Sequence, residues 1–268
     1  MISLPVDIYF SRLFIISISL SHEEHKSGIQ MNVRQIEEIE LNPETAYLTG
    51  FIIGDGSLAN SCKSRTDPSK DYRISVDISD IDHLFKIAEL IKTIISTSSS
   101  PKARQQAGNR VPRSYLFIRN KSLFMFLHKE MKIPIGNKSS IVHVPSKVVE
   151  SSFEVKKHFL AGYFDADGGF RGGSLGFTTA SERMQNDVSS LLNEFKILHS
   201  TEKWVNKRYD KVFYGIKLRR CEIDKFINSF PLRNASKLNR IIQRFKCGDA
   251  GAVKRDRWSR ISPSLGHS

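Results

Sequence analysis

The chain has 268 residues, 40% of them hydrophobic, enough to fill the cores of two units of ordinary size. Lysine and arginine number 41 against 28 acidic residues, a net charge of +13. Phosphate backbones reward such an excess through counterion release, so nucleic acid is the leading partner. The three cysteines, Cys62, Cys221 and Cys247, are far apart and form no C-x-x-C pair. That excludes a zinc finger or a disulfide framework and points to a reducing compartment.

Residues 1–40 read as an N-terminal extension. The apolar run LFIISISL at 13–20 follows Arg12 but is too short to span a bilayer and has no A-x-A cleavage site. Neither a membrane anchor nor a signal peptide is expected. The stretch reads equally as an upstream reading-frame extension with Met31 a candidate start.

A first half is expected over 41–149. Asn42, Pro43 and Glu44 look like an N-cap followed by proline at the first helical position. The helix runs through LTGFIIGDG at 48–56 and stops at Gly56. A polar loop with Lys63, Arg65 and Lys70 leads into YRISVDIS at 72–79, whose strict alternation predicts a strand with one buried side. Helical spacing predicts a helix over 81–97. A basic turn from Lys102 to Arg113 follows, then SYLFIRN as a strand and a helix from Leu123 to Met131, closed by Pro134 and Gly136.

A second half, expected over 150–246, repeats that order. Ser151 and Glu154 suggest a capping box before LAGYFDADG at 160–168, which stops at Gly168. A strand near 175–181, a helix near 183–195, strands near 201–220 and a helix over 222–229 complete it. Each half therefore reads αββαββα, an α+β fold. Residues 247–268 form a basic tail with Lys254, Arg255, Arg257 and Arg260.

The two nonamers lie 112 residues apart, and each runs an apolar helix into an acid followed by glycine. Gly50 and Gly54 in the first, and Gly162 and Ala166 in the second, leave one helix face almost bare. Glycine inside a helix costs roughly 0.5–1 kcal/mol against alanine, so its repetition asks for a close helix contact. Pairing along these faces about a pseudo-twofold axis would bring Asp55 and Asp167 together, where a divalent cation relieves the repulsion. The sheets of the two halves would then form a trough. Alternation places Arg73, Ser75, Asp77, Arg119, Thr178, Lys203, Lys217 and Arg219 on its inner face. Lys63, Arg65, Lys70, Arg113, Lys207 and Arg208 fall in loops, where they would meet phosphates. Each half also closes on asparagine and then lysine, PIGNKS to Ser139 and PLRNASKL to Leu238, which sets Lys138 and Lys237 apart.

The paired nonamers resemble the signature of the LAGLIDADG homing endonucleases in their single-chain form. The second departs from the family name at Tyr163 and Phe164, the first at Thr49, Ile53 and Gly54. The resemblance implies a saddle of antiparallel sheets lying along the DNA major groove. It makes Asp55 and Asp167 the catalytic metal-binding acids, with the carbonyls of Gly54 and Ala166 as further ligands. Lys138 and Lys237 match the family's basic residue near the active site. Asp165, matched by Ile53, receives no catalytic role. The implied activity is hydrolysis of both strands of a long asymmetric duplex with Mg2+ or Mn2+, leaving short 3′ overhangs, by a monomer with an internal pseudo-twofold. An intron-encoded origin is expected rather than an intein, since no terminal His-Asn splice signature precedes His267-Ser268. The alternative is a maturase that binds intron RNA with the same saddle.

Overall fold

In the computed structural model, residues 38–62, 70–96, 99–104, 113–171, 173–207 and 210–245 are described. The apolar run at 13–20, Met31 and the tail lie outside the described residues. No helix among the described residues is long and apolar enough to cross a membrane.

The first half runs α1 (Pro43–Asp55), β1 (Gly56–Cys62), β2 (Lys70–Ile78), α2 (Ile81–Ile95), β3 (Lys102–Arg104), β4 (Arg113–Arg119) and α3 (Lys121–Met125), the last extended by a π-helical turn over Phe126–Glu130. After the short α4 (Ser146–Val149), the second half runs α5 (Phe153–Asp167), β5 (Gly168–Arg171), β6 (Ser174–Thr179), α6 (Glu182–Glu194), β7 (His199–Asn206), β8 (Lys211–Leu218) and α7 (Ile223–Ser229). A helix α8 covers 235–245. Both halves are αββαββα. Each forms a four-stranded antiparallel sheet with equivalent strand order, β1-β2-β4-β3 and β5-β6-β8-β7.

Capping residues fix where the long helices begin. The Asn42 side chain accepts from Thr45 N–H at 3.0 Å, and Thr45 Oγ1 accepts from Asn42 N–H at 2.8 Å, so the cap is reciprocal. The second helix is capped by Ser152 and not by the expected Ser151. Ser152 Oγ accepts from Val155 N–H, while Ser151 Oγ donates back to Lys147 O.

Gly56 and Gly168 do end α1 and α5, but not by a left-handed turn, since both have extended backbone. A Cβ at Gly56 would lie 2.7 Å from Ile52 Cδ1, and one at Gly168 would lie 2.2 Å from a Phe164 ring atom. The chain passes directly from helix to strand over these side chains, and only glycine leaves the space.

The two halves meet where α1 packs on α5. A Cβ at Gly50 would sit 2.2 Å from Phe159 O, and one at Gly162 would sit 2.0 Å from Tyr47 O. One at Gly54 would fall 2.4 Å from the Ala166 methyl. The bare faces read from the sequence therefore touch backbone to backbone. Tyr47, Phe51, Phe159, Leu160, Tyr163 and Phe164 are buried around that contact. Burying one such side chain is worth about 1.5–3 kcal/mol, so the seam is a core shared by both halves.

Each sheet has one face on its helices. Ile74, Val76 and Ile78 of β2 with Leu116 and Ile118 of β4 are buried in the first half, and Leu175, Phe177, Tyr214, Ile216 and Leu218 in the second. The opposite, open face carries the polar residues of the same strands.

Candidate active site and nucleic-acid interface

Asp55 and Asp167 are the last residues of α1 and α5, and the tight glycine contact brings them to one place. A methyl at Gly54 would lie 3.2 Å from Asp167 Oδ2. Asp167 is exposed on one side at the end of α5, while enough protein lies around the carboxyl to strip part of its hydration. Loss of solvent, then the charge of Asp55, push its carboxyl up to about 7; Lys138 and Lys237 pull the other way. Burial raises Asp55 too, against the same two lysines. Two carboxylates held near each other with ionisation disfavoured form a site that a divalent cation relieves.

Each lysine caps one of these helices at its C-terminal end. Lys138 is 8% exposed, and its Nζ donates to Ile53 O and, at 3.1 Å, to Gly54 O. Lys237 Nζ donates to the carbonyls of Phe164 at 2.9 Å, Asp165 at 2.7 Å, Ala166 at 3.0 Å and Gly168 at 2.8 Å. The ammonium groups thus occupy the negative ends of the helix dipoles, where cations are favoured. Lys237 lies in the first turn of α8, whereas Lys138 lies outside any helix, just before a turn. Burial lowers both lysines, and the aspartates raise them. The carbonyls of Gly54 and Ala166, expected as metal ligands, accept from these lysines. Each keeps a second lone pair.

The open face of the first sheet carries Ser57, Asp71, Arg73, Ser75, Asp77, Tyr115, Phe117 and Arg119, as the registers Ser75↔Phe117 and Arg73↔Arg119 require. Arg113 belongs here as well and not to a loop. Its guanidinium is 2.6 Å from Asp77 Oδ1, because β4 starts at this residue. Arg119 pairs with Asp71 at 3.0 Å, and Ser57 and Ser75 share a 2.8 Å hydrogen bond. A cavity of about 690 Å3 runs from Asp55 past Ser57, Ser75 and Asp77 to Tyr115 and Phe117.

In the second sheet, Thr178 faces Gly215 across the strands on the open side, with Lys217 opposite Gly176. Lys217 Nζ is 2.5 Å from Glu202 Oε2. Arg219 is exposed just past β8 and donates its N–H to Leu198 O. Lys203 is a correction. It is opposite Tyr214, a core residue, and its ammonium lies 5.3 Å from the centroid of that ring on the helix side of the sheet. Glu202 and Trp204 take the open face of β7. The Arg171 guanidinium stacks on Trp204 at 3.1 Å. Lys207 is exposed at the β7 end. Lys63, Arg65, Arg208 and the side chain of Lys70 lie outside the described residues.

Sequence reasoning missed Tyr115, Phe117, Arg171 and Trp204, all on the open faces. The signal for the first two was present, since they alternate in step with Arg119. Asp165, 3% exposed, is structural: Oδ2 accepts from Tyr47 Oη and from the backbone N–H groups of Arg233 and Asn234.

A family profile for the LAGLIDADG-like domain matches residues 154–230. The fold is similar to that of I-DmoI, solved with DNA and Mn, at a TM-score of 0.55 and 17% identity over 71% of this chain and 97% of that one. I-DmoI with DNA and Ca gives 0.56 and 18% over 74% and 97%. A curated relative, the replication factor C small subunit of Methanocaldococcus jannaschii, is 26% identical over 211 residues. That match covers 78% of this chain and only 10% of the relative's length. The profile thus covers the second half alone, and the structural likeness, at 17–18% identity, shows that the chain shares the fold of these homing endonucleases.

Proposed function

We propose that the protein is a site-specific double-strand DNA endonuclease that hydrolyses one phosphodiester in each strand, acting as a monomer. The observation that carries this reading is the meeting of Asp55 and Asp167 at the α1–α5 seam, each raised by burial, beside two sheet faces rich in arginine and hydrogen-bonding groups.

The donor set suits Mg2+ or Mn2+. No cluster of three His, Cys, Asp or Glu side chains exists among the described residues. Mg2+ is commonly held by one or two carboxylates, with waters and substrate phosphates completing its shell. Asp55 and Asp167 would hold it, with the free lone pairs of the Gly54 and Ala166 carbonyls beside them. When bound, the cation supplies positive charge against the charge developing on the phosphate.

The chain's own residues do the rest. Lys138 and Lys237 add positive charge next to the carboxylates, where a phosphate must approach. Arg113, Arg119 and Lys217 are held in surface ion pairs. Such pairs are worth at most about 1 kcal/mol, so a DNA acceptor can displace the carboxylate at little cost. The two faces differ at most equivalent positions, so the target is asymmetric. An intron is the expected carrier of the gene, on the strength of the motif resemblance.

The test is digestion of a randomised duplex library with Mg2+ or Mn2+, a chelator control, and sequencing of the new ends. Cation-dependent cuts in both strands at one asymmetric sequence support the reading. A folded protein that cuts no member of the library overturns it.

A further inference from the structure

Phe117 is out of place on a face built for hydrogen bonding. It is 44% exposed, on the open side of β4, one of the two inner strands of its sheet. The ring is held there by Tyr115, 4.9 Å away between centroids, and by the Arg73 guanidinium, 5.8 Å from its centroid. Together with Tyr115 it walls the cavity that begins at Asp55, so whatever it touches lies close to the cleavage centre.

The internal repeat gives this position a control. Ser75 is opposite Phe117 in the first sheet, and Gly176 is opposite Lys217 in the second. Val76 pairs with Gly56 and Phe177 with Gly168, the two glycines that follow the catalytic acids. Counting from those glycines, Phe117 and Lys217 are equivalent, and so are Arg119 and Arg219. The halves therefore carry arginine at one pseudo-symmetric position, and an aromatic against an ammonium at the next.

In the major groove the one apolar group on a base edge is the thymine C5 methyl, whereas lysine donates to guanine O6 and N7. We propose that Phe117 reads the C5 methyl of a thymine close to the scissile phosphate on the first half's side of the target, where the other half reads guanine through Lys217. This deepens the endonuclease reading and rests on it.

The experiment uses the cleavage site recovered from the library. Each thymine near the cut is replaced singly by deoxyuridine, which removes only the methyl group. The wild-type protein, Phe117→Ala and Phe117→Leu are compared by kcat/KM on each duplex, with melting temperatures confirming that both variants fold. At one position the wild-type rate should fall about fourfold, what burying one methyl is worth. Phe117→Leu should retain that sensitivity, and Phe117→Ala should cut the thymine and uracil duplexes equally. The proposal is overturned if no uracil substitution slows the wild type, or if the effect persists in Phe117→Ala; cleavage itself would still stand. If the folded protein cut no duplex at all, the endonuclease reading and this one would fall together.

Discussion

Tyr47 Oη donates to Asp165 Oδ2 at 2.5 Å across the seam, joining α1 to the acid two positions before Asp167 on α5. The same oxygen accepts from Arg233 and Asn234 N–H groups, so one carboxylate ties both halves to the loop that leads into α8. Arg233 in turn pairs with Glu44 through two 2.8 Å hydrogen bonds and lies over the Tyr47 ring. Tyr47 and Asp165 are buried while the Arg233–Glu44 pair lies at the surface, and the network joins the helices whose ends carry Asp55 and Asp167.

Tyr47→Phe therefore removes one donor from a buried carboxylate, a loss of about 1–3 kcal/mol. Urea denaturation should show that loss, while the cation requirement of cleavage stays unchanged. An unaltered midpoint would remove the network from the account.

The glycine contacts predict a sharp contrast between positions. Gly162→Ala puts a methyl 2.0 Å from Tyr47 O, and Gly50→Ala puts one 2.2 Å from Phe159 O. Overpacking of about 1–3 kcal/mol or more outweighs the gain in helix propensity, so both should lower the melting temperature. Gly169→Ala meets nothing within 4 Å and should melt like the wild type. Equal melting of all three variants would contradict the seam geometry.

The lysines should differ in their structural weight. Lys237→Met leaves four carbonyl partners without their donor, and Lys138→Met leaves two. Unpaired buried polar groups cost about 1–3 kcal/mol, so Lys237→Met should be the more destabilising in a thermal melt. The reverse order would count against the capping role.

Asp167 links the site to pH. Its carboxyl titrates near 7 in the fold, against an ordinary value of 3.8. Ionisation thus begins to cost stability as pH rises past the unfolded value, and the full cost is present above 7. Asp167→Asn should raise the melting temperature of the cation-free protein at pH 8. Solvent on the open side screens the penalty to about 1 kcal/mol, or ~2–4 °C. The gain should vanish below pH 4, and a gain equal at pH 4 and pH 8 would exclude this cause.

Much of this was legible in the residues. The alternation of 72–79 and 114–120 marked the inner strands, and the glycine faces with their terminal acids marked the seam. The strands β1 and β5 escaped because they start at the glycines that end the helices and hold mostly small residues. β3 is three residues inside a basic run. Lys203 was assigned to the wrong face because alternation gives two faces without saying which is buried; the pairing with Tyr214 settles that. The reach of Lys138 and Lys237 to helix ends distant in the chain is a tertiary fact with no local trace.

The central claim is that Asp55 and Asp167 together perform strand scission. Its most direct test is cleavage of a duplex with separately labelled strands by the wild type, Asp55→Asn and Asp167→Asn, at saturating Mn2+. Each substitution should slow cutting by at least about 100-fold, as loss of a group acting on transition-state charge does, with the fold intact. Either variant cutting both strands at the wild-type rate would contradict the account.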